Sequence, residues 1–127
     1  MKKLLIILLL ALVLSGCTLS HDPYSKRDIW GSVAFHTLNI MDYAGTDKSL
    51  HDFPGDITEG NSRWFGTDSP SRGQLIATAL LVSAIYEAVI WYTPQKYRWW
   101  IQVPAIGMKA YPVVNNWRVY QSVAEGR

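Results

Sequence analysis

Apolar and polar positions divide the chain into four segments with different periods. Residues 4–14 run without a polar side chain. Residues 28–46 repeat at three and four: Trp30, Val33, Ala34, Leu38, Met41 and Ala44 make one stripe, while His36, Asn39, Asp42 and Thr46 make another. That spacing predicts an amphipathic helix, with Asp28 available as its cap. Residues 47–69 lose the period. Pro54, Gly55, Gly60 and Gly66 alternate with acids, which predicts a long polar loop.

From Gln74 to Thr93 the chain is almost uniformly apolar, with one charge at Glu87. Ser69 and Pro70 supply a cap and a first-turn proline, and Pro94 stops the run, so a helix over 70–93 is predicted. Twenty residues at helical rise make about 30 Å, the thickness of a bilayer core. Trp91 and Tyr92 at its end suit a membrane interface. The competing reading is a helix buried on every side in a soluble core, which a chain this short is poorly able to supply. Residues 95–121 form a further apolar segment, opened by Tyr97, Trp99 and Trp100 and interrupted by Pro104, Gly107, Lys109 and Pro112. The short Thr93-Pro94-Gln95 turn predicts that it folds back on the previous helix as a hairpin, either as a kinked span or as an interfacial helix.

The opening segment changes the charge picture. Lys2 and Lys3 precede the apolar run, and Leu14-Ser15-Gly16-Cys17 follows it. This order resembles the signal and lipobox of bacterial lipoproteins. The resemblance implies that residues 1–16 are cleaved and that Cys17 becomes an acylated N-terminus. The lone cysteine makes no disulfide framework. Lys2 and Lys3 leave with the signal, so ten basic side chains face ten acidic ones in the remainder. The basic balance of the whole chain therefore gives no argument for a nucleic-acid partner. Charge is nevertheless uneven, since eight of the ten acids lie in residues 18–68 and six of the ten bases in 69–127.

The expected organisation is a signal over 1–16, a lipidated tether over 17–27, and an all-α membrane-associated domain over 28–124. Asp42 to Thr46, Glu59-Gly60-Asn61, Phe65-Gly66 and Ser69-Pro70-Ser71 occur in that order. They resemble a loose group of small bacterial and phage membrane proteins with an Asp-x-x-x-Thr, Glu-x-Asn, Gly, Pro-Ser pattern, two hydrophobic helices and a late asparagine. Here Asn115 or Asn116 takes the last place, and Ser62 stands where the group usually has proline. The resemblance implies a helical membrane fold and no particular activity.

Two polar sets stand out. Glu87 inside an apolar helix needs a partner. Hairpin geometry places Gln102 level with it and Arg98 within reach, with Lys109 too distant. Asp42, Glu59, Asn61 and Asn115 are expected to converge at one end of the bundle, where they would suit a cation or a polar headgroup. The plainer alternatives are a structural hydrogen bond for Glu87, and turn formation with a Glu59 pair to Arg63 or Arg72. His21, His36 and His51 share no metal-ligand spacing, and no metal or other cofactor is expected. There is no nucleophile elbow and no phosphate loop, so no enzyme is expected. The sequence points to a non-catalytic, lipid-anchored envelope protein that binds membrane lipid or other envelope membrane proteins. Inner or outer membrane and self-association stay open. A subunit of a small transporter or channel using Glu87, and a phage-encoded receptor-blocking lipoprotein, are the alternatives.

Overall fold

The computed structural model describes residues 22–55, 66–67 and 69–126. The signal, Cys17, Glu59 and Asn61 lie outside the described residues. The described residues form three helices and no strand: α1 Lys26–Asp52, α2 Arg72–Tyr92 and α3 Gln95–Glu125. All-α is the architecture expected from the sequence.

Each boundary has a local cause. Ser25 caps α1 in a capping box: its hydroxyl accepts from Asp28 N, and the Asp28 carboxylate accepts from Ser25 N. Asp28 is thus the third residue of the box and not the cap. Ser71, with Gln74 as its reciprocal partner, caps α2. The expected cap at Ser69 is displaced by two residues, because only Ser71 has a glutamine three positions on. Pro94 separates α2 from α3, whose first-turn Tyr97 N–H reaches the Pro94 carbonyl.

The helices run up, down and up. α1 extends six residues past the expected 28–46, so the irregular stretch starts at Phe53 and not at 47. α3 is one helix through Pro104 and Pro112, where interruptions were expected. The hairpin expectation needs correction as well. α2 and α3 are joined by a tight turn but touch least, and α1 packs between them, mainly along α3. Gly31 permits this approach, since a Cβ there would lie 2.6 Å from the Gln102 amide.

Burial is inverted relative to a water-soluble bundle. The buried hydrophobic residues are few: Phe35, Phe53, Leu75, Tyr86 and Ile90. Phe35 and Tyr86 stack at 3.7 Å, with Ile90, Val82, Ile101 and Ile106 around them. The polar stripe of α1 faces inward: Asp28, Ser32, Asn39, Thr46 and Ser49 are buried, as are Arg98 and Gln102 of α3. Trp30, Met41, Leu80, Trp100, Met108 and Trp117 point outward. α2 is the one helix among the described residues long and apolar enough to cross a membrane, and most of it faces outward. It is not a helix buried on all sides.

Candidate functional site

Three polar clusters stack along the interior. The first is built on Arg98, which is fully buried, as is its partner Asp28. Arg98 Nη1 meets Asp28 Oδ2 at 3.2 Å and the Pro23 carbonyl at 3.0 Å. Nη2 donates to the Asp22 carbonyl at 2.6 Å. Nε donates to the carbonyls of Ile90 and Thr93, at 3.0 and 2.9 Å, so the guanidinium also satisfies the C-terminal end of α2. One side chain therefore joins the entry to α1, the end of α2 and the start of α3. Gln102, one turn further along α3, donates to the Asp28 carbonyl at 2.9 Å.

The second cluster surrounds Glu87. Tyr24 donates to its Oε2 at 2.8 Å, and His36 Nε2 lies 2.7 Å from its Oε1. The other ring nitrogen of His36 lies 3.2 Å from Ser83 Oγ. Asn39 donates to Ser83 Oγ and to the Ala79 carbonyl, both at 3.0 Å. Both ring nitrogens of His36 are thus engaged, one by the Glu87 carboxylate and the other by the Ser83 hydroxyl, so the ring bridges α1 and α2. Burial and the bond to Glu87 push the Tyr24 hydroxyl above its ordinary range.

This order of serine, histidine and carboxylate carries proton-transfer chemistry in other settings. Here Ser83 sits within a helix, where main-chain N–H groups bind preceding carbonyls, and both Asn39 amide hydrogens are engaged. The geometry suits holding a carboxylate and an imidazole together between α1 and α2. Gln102 and Arg98, the partners expected for Glu87, instead serve Asp28 and its neighbours. Packing of α1 between α2 and α3 is the reason.

The third cluster joins α1 to α3. Lys109 Nζ meets Asp42 Oδ2 at 3.0 Å. Asn116 Nδ2 lies 3.2 Å from Asp42 Oδ1, from the Asp42 carbonyl and from Thr46 Oγ1. Asp42 and a late asparagine do converge, but the asparagine is Asn116; Asn115 is exposed on the outer face of α3. Beyond this cluster, Arg72 pairs with Asp47 across the α1–α2 end. Asp47, Leu50, His51, Ser69, Pro70 and Arg72 line an open cleft of about 420 Å³ there.

His36, Asn39 and Thr46 were visible as a polar stripe of α1, and Asn116 as one of two candidates for the late asparagine, but Tyr24 and Ser83 carried no pattern that singled them out. Five buried polar atoms lack a partner among the described residues: Asp28 Oδ1, Ser32 Oγ, Asn39 Oδ1, Tyr86 Oη and Gln102 Oε1. No group of three or more histidine, cysteine or acidic side chains suited to a metal ion occurs among the described residues. Comparison with protein-family models, with curated proteins and with solved structures finds no match.

Proposed function

We propose that the chain is a lipid-anchored protein of the bacterial envelope whose three helices all lie in the bilayer, and that it works there by binding and not by catalysis. One observation carries this reading: the distribution of exposed charge. Between Arg27 and Lys48 on α1, between Arg72 and the end of α2, and between Lys96 and Arg118 on α3, every exposed residue is uncharged. At helical rise these intervals are about 31, 30 and 33 Å. Three charge-free faces of one height, matching a hydrocarbon core of about 30 Å, suit lipid on all sides. The ionisable residues within that height are paired, as intramembrane charges require: Asp28 with Arg98 and Asp42 with Lys109 are largely sheltered, and Glu87 meets His36 with about a third of each side chain exposed.

The lipobox reading of Cys17 fits such a protein, since acyl chains and helices would enter the same membrane. A polar interior that ties helices together gives a rigid intramembrane body, and its outward faces are the surface through which lipid or another membrane protein would be met. The test removes the lipid. A chain lacking residues 1–17 is expressed and its membranes are washed at alkaline pH. Retention in the washed pellet is expected. Release into the soluble fraction would mean that the helices do not hold the bilayer.

A further inference from the structure

The two ends of the charge-free belt differ. At one end meet the start of α1, the end of α2 and the start of α3. There Lys26, Arg27 and Lys96 are exposed, and none of them pairs with a carboxylate among the described residues. Aromatic rings hold two of these cations at the edge of the belt: the Arg27 guanidinium lies 5.1 Å from the Trp99 ring centre, and Lys96 Nζ 4.8 Å from that of Tyr97. Trp30, Trp91 and Trp100 are exposed at the same level. Of the acids at this end, Asp28 is buried against Arg98, and Asp22 accepts from the Gln95 N–H. At the opposite end Lys48 pairs with Asp52 and Arg72 with Asp47.

We infer that the collar of Lys26, Arg27 and Lys96 with its tryptophans is a headgroup site for anionic phospholipid. The inference rests on the membrane reading above. Cations left without carboxylates, placed beside rings that favour the headgroup layer, complement a lipid phosphate and an anionic surface. At the opposite end two of the three exposed cations on the described helices, Lys48 and Arg72, are already matched by carboxylates, and Arg118 alone is not. The chain before Asp22 agrees with this assignment. Cys17 lies five residues earlier, and even fully extended that stretch reaches only about 18 Å. Acyl chains on Cys17 would therefore enter the leaflet that the collar faces.

The test uses the acylated full chain reconstituted in phosphatidylcholine vesicles. Bromine-labelled phosphatidylglycerol or bromine-labelled phosphatidylcholine is added in equal amounts, and quenching of tryptophan emission is read. Phosphatidylglycerol is expected to bind at least about threefold more tightly, as surface cations near an anionic lipid imply. The preference should collapse at high salt with no change to the protein. It should also collapse in Lys26→Gln/Arg27→Gln/Lys96→Gln, and persist in Lys48→Gln/Arg72→Gln. Equal quenching by the two lipids in the unaltered chain, a preference insensitive to salt, or one lost in the second variant and kept in the first would overturn the collar while leaving the membrane reading intact. No quenching by either lipid would mean that the chain does not enter vesicles, and both readings would fall.

Discussion

Asp28–Arg98 and Asp42–Lys109 are two ion pairs in one interior, and they are built differently. The first is fully buried on both sides, whereas the second keeps about a sixth of each side chain exposed. Arg98 spreads its donors over four main-chain carbonyls as well as the carboxylate. Lys109 makes one hydrogen bond, and Asn116 completes the coordination of Asp42. The difference follows from what has to be joined. At the Arg98 end three chain segments meet, including a helix terminus with unsatisfied carbonyls, and only a planar fork of donors answers them all. Near Asp42 two parallel helices lie side by side, and a point charge is sufficient. The comparison separates a charge that organises backbone from a charge that ties side chains.

The largest expected effect is at Arg98. Arg98→Met leaves the Asp28 carboxylate with only the Ser25 N–H and takes a donor from four carbonyls, of which Ile90 keeps the Thr93 N–H, and removing one partner of a buried pair costs about 3–5 kcal/mol. The expected result is a chain that is recovered poorly and, where recovered, unfolds at a much lower temperature in detergent. Adding Asp28→Asn should restore only a part of the loss, because the carbonyls of Asp22, Pro23 and Thr93 still lack the guanidinium. Full restoration would mean that the pair acts through charge alone and that the carbonyl contacts contribute little.

Asn116 comes next. Asn116→Ala removes the amide shared by Asp42 and Thr46, and interhelical hydrogen bonds of this kind average about 0.6 kcal/mol and reach about 1.7. Asn115→Ala, on the outer face, is expected to leave the unfolding midpoint unchanged. Equal effects from the two neighbours would show that the face of α3 turned toward α1 has been misassigned.

That pair of residues also marks how far the sequence could be read. The polar stripe of α1 was legible as a period, but a period states which residues share a face and not whether the face looks inward. Here the polar stripe turns toward the other helices and the apolar stripe turns outward, and only the partners on α2 and α3 decide it. Hydropathy averaged along a helix has the same blindness. It singles out α2, whose inward face is small and largely apolar, and passes over α1 and α3, whose inward faces are polar while their outward faces carry no exposed charge between Arg27 and Lys48 or between Lys96 and Arg118. The α2 cap was legible in kind, but choosing Ser71 over Ser69 needed the reciprocal Gln74. The prolines of α3 misled for a related reason. Each removes one main-chain hydrogen bond, but contacts to α1 at Arg98, Gln102, Lys109 and Asn116 lie on both sides of Pro104 and Pro112, close to within a turn or two, and hold the helix across them. The choice between Asn115 and Asn116 could not be made until that register was known.

The smallest expected effect makes the sharpest use of the comparison, because the two substitutions are reciprocal. Lys109→Arg keeps a cation of similar reach beside Asp42, and the site is open enough at its edge to admit the larger head group. The unfolding midpoint should correspond to a change of about 0.5 kcal/mol or less, the range of a tolerated substitution. Arg98→Lys also keeps the charge, but a single ammonium cannot reach the carbonyls of Ile90, Thr93, Pro23 and Asp22 together. It should cost about 2 kcal/mol or more, since buried acceptors left unmet carry about 1–3 kcal/mol each. Thermal unfolding of the two variants in one detergent measures the asymmetry directly. If both swaps are equally mild, Arg98 serves only as a cation and the end of α2 is held by something else. If both are equally harmful, the Asp42 site is as tightly enclosed as the Asp28 site, and the distinction between organising backbone and tying side chains does not hold.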